Sequence, residues 1–199
     1  SFKWSRENGS VIFPINGAVV ATTLADGSAQ LGVSLSRSGR DARLGLAVND
    51  WVELVDDDYT LAQRAYPLLQ VIAVDVPDCT VTLAVPKNIT SYQPSSDPRK
   101  HPLLRRWDQT AALNGQGAVA VAEGASITLE DGIQVGFAVG GIYATGDYWL
   151  IPARVSGDGL LDWPSVIASD GSSGPAALPP RGLHHYAPLG VTDDNGGYQ

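Results

Sequence analysis

Residues 127–154, ITLEDGIQVGFAVGGIYATGDYWLIPAR, combine alternating apolar residues, turn signals and the densest aromatic run of the chain. On either side of Glu130-Asp131-Gly132, residues Ile127, Leu129, Ile133, Val135 and Phe137 alternate with smaller or polar neighbours, the period of a strand with one buried face. A two-residue turn at Asp131-Gly132 would set Glu130 opposite Ile133 and Leu129 opposite Gln134, mixing the faces. A three-residue loop, with Glu130 and Asp131 in a type I turn and Gly132 left-handed, pairs Leu129 with Ile133, Ile127 with Val135 and Ala125 with Phe137. That register places every apolar side chain on one face and is the predicted one. Beyond Gly140-Gly141 and a Thr145-Gly146-Asp147 turn, Tyr148-Trp149-Leu150-Ile151 is apolar on both faces. It predicts a strand covered on both sides and ended by Pro152.

Upstream, Phe2 to Trp4 reads as a short aromatic strand before an Asn8-Gly9 turn, and Val11, Phe13 and Ile15 alternate around Pro14, the mark of an edge or a bulge. Residues 18–24 and 30–36 read as strands on either side of an Asp26-Gly27 turn. From Arg43 to Val85, Trp51 to Val55, Leu69 to Val74 and Thr80 to Leu83 are strands closed by tight turns, with Pro77-Asp78 suited to the centre of a type I turn. This rhythm, shared with SH3-like and OB-like modules, predicts a small barrel-like subunit over residues 43–85. From Pro86 to Gly124 the pattern loosens, and Leu103, Leu104 and Trp107 are expected to anchor the segment across the sheets. Asn114 to Gly117 is a further turn.

No stretch of ten or more residues carries a helical period with caps. The expected fold class is therefore all-β, a sandwich or small barrel of antiparallel hairpins with long loops and a flexible C-terminal tail. The expected organisation is a β-rich domain over residues 1–168, a Gly, Ser, Ala and Pro-rich linker over 169–182 and a tail segment over 183–199.

With 199 residues, 44% of them hydrophobic, the chain is long enough to bury a substantial core. No apolar run reaches the roughly 20 residues a helix needs to cross a bilayer. A net charge of −8 argues against a nucleic-acid partner. The Arg105-Arg106 pair is too small to reverse that. The single cysteine, Cys79, rules out an internal disulfide and a thiolate zinc cluster, and it reads as a small hydrophobe in a strand or turn. The chain starts at Ser1, contains no methionine and shows no signal peptide, so a fragment or processed form is expected. Asn8 and Asn88 sit in glycosylation triplets, a short pattern that occurs often by chance.

The sequence lacks a Walker loop, a dinucleotide fingerprint, a nucleophile elbow and a His-Glu-x-x-His motif. Asp56, Asp57 and Asp58, with Glu53 nearby, offer hard oxygen ligands suited to calcium, the one cofactor candidate. Adjacent side chains in an extended segment diverge, however, which favours a solvated strand end. His184 and His185 would face opposite sides of a strand and would not chelate together. Glu130, Asp131, Asp147, Asp158 and Asp162 include potential partners for the carboxylate pair of a glycosidase, but Glu130-Asp131 is accounted for by its turn. Tyr148 and Trp149, aromatic groups that would suit a sugar, fall where a core is expected.

KWSRENGS (residues 3–10), DWVELVDDDY (50–59), HPLLRRWDQ (101–109), LEDGIQVGF (129–137), GDYWLIPAR (146–154) and HHYAPL (184–189) resemble, in order, the signatures of an uncharacterised bacterial family. The resemblance implies a longer parent protein with a further N-terminal region, and for some members a setting among phage-tail-like or contractile-injection components. It supplies no catalytic residues.

The expected function is a non-enzymatic structural or assembly module of an extracellular or tail-like bacterial particle. It would self-associate into a homo-oligomer, ring or filament, or join other particle components, through sheet edges or the tail residues Leu183, His185, Tyr186, Leu189 and Val191. The alternatives are a carbohydrate-binding module, with glycans as partners, and a glycan hydrolase.

Overall fold

The computed structural model describes residues 1–110, 113–151 and 162–181. The chain divides into two units, Ser1–Thr145 and Gly146–Gln199.

The first unit is built on seven strands: β1 (Ile12–Pro14), β2 (Val20–Thr23), β3 (Ala29–Ser34), β4 (Trp51–Val55), β5 (Leu69–Asp75), β6 (Thr80–Val85) and β7 (Leu103–Trp107). They form one antiparallel sheet in the order β1-β7-β4-β5-β6-β3-β2. The sheet also closes on itself. Just past β1, Ile15 bridges Leu35 just past β3, Asn16 N donates to Ser34 O (2.8 Å) and Ser36 N donates to Pro14 O (2.8 Å). β1 and β2 thus run along successive halves of the same edge of β3, with left-handed Gly17 between them (φ 84°). The result is a six-stranded barrel to which β2 adds an outer strand.

Alternation fills the barrel. Leu31 and Val33 on β3, Val52 and Leu54 on β4, Leu69 and Val71 on β5, Val81, Leu83 and Val85 on β6, and Leu104 on β7 meet Val11, Phe13 and Ile15 in one cluster. Burying each such side chain is worth about 1.5–3 kcal/mol. Residues 43–85 do not form a subunit of their own, because β4 is flanked by β7 and β6 by β3. The 86–124 segment is not draped over the sheets as expected. Leu103, Leu104 and Trp107 belong to β7, the strand between β1 and β4.

A second, smaller cluster holds Val119, Ile127 and Leu129 against Phe2, Trp4, Leu113, Val135 and Phe137. It seats the hairpin of β8 (Ser126–Thr128) and β9 (Gln134–Gly136), in which Ile127 faces Val135 and Leu129 N donates to Ile133 O (2.8 Å). Glu130 to Gly132 make a single 3-10 turn with Gly132 at φ 75°, as the register argument requires. Past Ser126 the pairing shifts: Phe137 O accepts from Gly124 N and bridges Glu123, not Ala125.

The second unit contains a hairpin of β10 (Ser165–Ile167) and β11 (Ser173–Pro175). The division between the units falls after Thr145, and within the expected 169–182 linker Ser173–Pro175 form β11. Tyr148 to Ile151 is no covered strand: Tyr148 makes one bridge, to Arg181, and Tyr148, Leu150 and Ile151 are 49%, 43% and 45% exposed. Trp149 Nε1 donates to Leu178 O (3.0 Å). The tail expected over 183–199 lies outside the described residues.

Candidate functional site

Alternation along β4 turns Val52 and Leu54 into the barrel and Glu53 outward, opposite Arg105 of β7. Glu53 is nevertheless only 3% exposed. Its carboxylate accepts hydrogen bonds from the Lys3 amine, from Tyr59 OH (2.5 Å) and from Trp107 Nε1 (3.0 Å), and Arg105 Nη1 stands 4.0 Å away. Burial raises the Glu53 carboxyl, but the charge of Lys3 and the donors Lys3, Tyr59 and Trp107 outweigh it and hold the group below its ordinary value. On Lys3 the balance goes the other way: burial prevails over the attraction of Glu53 and lowers the amine, which lies 4.5 Å from the centroid of the Trp107 ring. Arg105 Nε is buried without a partner among the described residues.

Asp56, Asp57 and Asp58 part company at once. Asp56 is 2% exposed and caps the short helix α1 (Asp57–Ala62), accepting from Tyr59 N (2.8 Å), Ser95 N (2.8 Å) and Tyr92 OH. Burial raises its carboxyl, and the bonds from Tyr92, Ser95 and Tyr59 more than reverse this. Tyr59, Tyr66 and Tyr92 pack edge to face or tilted around it, with centroids 5.0–5.8 Å apart. Asp57 pairs with His101 (2.9 Å) and Asp58 with Lys100. The solvated strand end expected here is therefore half true, since Asp57 and Asp58 are open and Asp56 is buried. The three carboxylates share no centre for calcium, and Glu53 is committed elsewhere. Among the described residues no group of three or more His, Cys, Asp or Glu stands where it could hold a metal ion.

The rim where β4 begins and β7 ends carries an open cleft of about 290 Å3. The cross-strand pair Trp51 and Trp107 contributes two indoles. Arg106 is buried at this end and clamps the loop between β3 and β4, donating from Nη2 to Arg43 O (2.7 Å) and from Nη1 to Gly45 O (2.5 Å). Asp41 Oδ1 turns the same loop by accepting from Arg43 N (3.0 Å) and Leu44 N (2.9 Å). Asp108 accepts from Arg6 N (2.8 Å) and from Arg106 Nη2 (3.3 Å), and Arg43 pairs with Glu7. Asp50 Oδ2 accepts from Ala47 N (2.8 Å). Burial raises the Asp50 carboxyl; the Ala47 bond and Arg106 oppose the shift and Asp108 adds to it. Behind the cleft, Gln109 is 1% exposed, accepts from Trp4 N (3.3 Å) and donates to Gly117 O (3.0 Å).

The glycosidase candidates fall apart in a similar way. Glu130 accepts from Trp4 Nε1 (2.8 Å), Thr110 Oγ1 (2.5 Å) and Thr110 N, fastening the β8–β9 hairpin to the N-terminal segment and to the stretch that follows β7. Asp131 belongs to the turn, Asp147 and Asp162 to the second unit, and Asp158 lies outside the described residues. So do Leu183, His184, His185, Tyr186, Leu189 and Val191. Cys79 sits half-buried in the β5–β6 turn at φ 50°, its N–H donating to Val76 O (3.2 Å).

The chain belongs to a family of unknown function, DUF6519. The family model matches residues 1–199, the full sequence. No curated protein and no solved structure matches it. In this DUF6519 chain no described helix is long and apolar enough to cross a membrane.

A further feature with binding capacity is β2. It ends the sheet order, pairing with β3 on one side, and among the described residues no strand pairs with its other side. All four of its residues are exposed, Val20 at 63%. From Gly17 to Ala25 the DUF6519 chain carries no charge and no proline, two of the devices by which free edges are blunted.

Proposed function

We propose that the chain is a non-catalytic structural module of an extracellular or phage-tail-like bacterial particle, and that copies associate by adding strands at β2. The observation that carries this reading is the open, uncharged edge of Val20–Thr23 on a closed barrel. Among the described residues every other barrel strand has partners on both sides, so within the barrel β2 is the strand that offers a whole edge of unspent backbone donors and acceptors. The absence of charge from Gly17 to Ala25 lets two copies of this strand lie side by side although each chain carries −8 overall. The resemblance noted above, which implies a setting among tail-like components for some members of the family, supports the setting.

The test is sedimentation velocity over a concentration series. The wild-type chain should sediment as a species heavier than its 20.9 kDa monomer, and a Val20→Lys/Thr22→Lys variant should return to monomer with its melting temperature unchanged. A parallel arm removes residues 183–199. If that deletion abolishes association and the lysine variant does not, the tail holds the copies together and β2 does not. A wild-type chain that stays monomeric at all concentrations sinks the proposal.

A further inference from the structure

The rim cleft plays no part in edge pairing, and its chemistry is specific. We propose that it binds a single neutral sugar ring, held between the indoles of Trp51 and Trp107 and the polar groups of Arg43 and Asp50. At about 290 Å3 it lies at the small end of ligand sites. That is room for one sugar ring.

The charge inventory selects the ligand class. Three guanidinium groups, Arg6, Arg43 and Arg106, line the cleft with three carboxylates, Glu7, Asp50 and Asp108. A free anion would meet the carboxylates, a free cation the guanidiniums, and either would gain little net attraction. A polyol is suited to both, since each hydroxyl donates one hydrogen bond and accepts others. Its C–H face is apolar and fits an indole, which supplies a large rigid apolar surface.

The polar groups also have capacity left. Asp50 spends Oδ2 on Ala47 N, which leaves Oδ1 to accept from a hydroxyl. Arg43 directs Nε and Nη2 at Glu7, which leaves Nη1 to donate. Arg106 directs Nη1 at Gly45 O and Nη2 at Arg43 O and Asp108, so its role is the clamp that shapes the wall. The loop is further pinned where Gly39 lies against Gly45, so close that a Cβ on Gly39 would stand 2.2 Å from the Gly45 Cα. A wall fixed before binding keeps the ordering cost of a weak, small ligand low.

The experiment is a titration of the 15N-labelled chain with methyl glucoside, methyl galactoside, methyl mannoside and N-acetylglucosamine at millimolar concentrations. Glucuronate and glucosamine serve as the charged counterparts. The indole N–H signals report on the cleft through the rings that line it, Trp51 and Trp107, the Trp107 N–H itself being held by Glu53. At least one neutral sugar should shift both signals saturably and bind more tightly than its charged counterpart. Asp50→Asn, which keeps the acceptor for Ala47 N, and Arg43→Ala should each weaken it by about tenfold, the loss of one charge-assisted hydrogen bond, with the melting temperature unchanged. The proposal is overturned if no neutral sugar gives a saturable shift, if glucuronate or glucosamine binds best, or if both variants bind like the wild type.

Discussion

Trp51 stands over Gly117 so closely that a Cβ on the glycine would lie 2.3 Å from Cε3 of the indole. Gly117 also needs the left-handed region, at φ 74°. Gly117→Ala therefore combines backbone strain of about 1 kcal/mol with overpacking of about 1–3 kcal/mol. Gly132, at φ 75° with nothing within 4 Å of its would-be Cβ, isolates the first effect. Denaturant melts of the two alanine variants should show Gly117→Ala clearly the less stable. Equal losses would mean that the Trp51 contact carries no weight.

Glu53 is the buried charge on which two distant segments, at Lys3 and Trp107, and the neighbouring Tyr59 converge. Glu53→Ala strands the Lys3 amine and the Tyr59 and Trp107 donors, and should cost about 3–5 kcal/mol, the usual result of removing one partner of a buried pair. Replacing Glu53 and Lys3 together by Leu and Met should cost less than Glu53→Leu alone. A double variant as unstable as the sum of its two single variants would show that the pair is not coupled.

The pH dependence follows from the same group and from Asp56. Both carboxyls lie below their ordinary values in the folded chain. The unfolded chain therefore takes up their protons first as pH falls. The stabilisation they provide is complete above the ordinary carboxyl range of about 4 and is lost as pH drops through the lower folded values. Unfolding free energies measured from neutral pH to pH 3 should fall steeply at the acid end for the wild type and less steeply for Glu53→Gln. Parallel curves for the two chains would assign the acid loss to other groups.

Much of the β8–β9 hairpin is legible in the sequence, because period-two alternation and a three-residue loop leave one register that keeps Ile127, Leu129, Ile133 and Val135 together. Barrel closure is not, because no local pattern announces that Ile15 will meet Leu35 or that Leu103 to Trp107 will slot between β1 and β4. Asp56 is hidden for a different reason: the helix it caps has six residues, too few to show a helical period. The signal for Glu53 is present, since a carboxylate inside the apolar run from Trp51 to Val55 demands partners. Its partners, however, sit at Lys3, Tyr59 and Trp107, and only the fold brings them there. Tyr148 to Ile151 misleads because four large residues in a row have no period to show which side is covered.

Glu130 fixes the second hydrophobic cluster in place. Glu130→Ala removes the acceptor for Trp4 Nε1 and for the Thr110 N–H and hydroxyl, at about 1–3 kcal/mol for the donors left unpaired. The hairpin is held to the rest of its unit by those bonds and by a small apolar cluster. The loss should therefore appear as local opening and not as global unfolding. Hydrogen exchange should accelerate at Ile127, Leu129 and Val135 in the variant while Leu31, Val71 and Leu83 in the barrel exchange as before. Faster exchange throughout the barrel would mean that the two clusters unfold as one.

If copies meet at β2, salt should strengthen the contact. The chain carries −8, so two copies repel at long range, and screening shortens that repulsion from roughly 10 Å at 0.1 M salt to roughly 3 Å at 1 M. The strand itself has no charge from Gly17 to Ala25 and forms no ion pair that salt could weaken. The association constant from sedimentation equilibrium should rise between low and high salt and level off once the repulsion is screened. The Val20→Lys/Thr22→Lys variant also lowers the net negative charge, so it separates the two effects. It should self-associate less than the wild type at every salt concentration, although it repels its own copies less at long range. An association that weakens as salt rises would place the contact on ion pairs elsewhere on the surface and not on this edge.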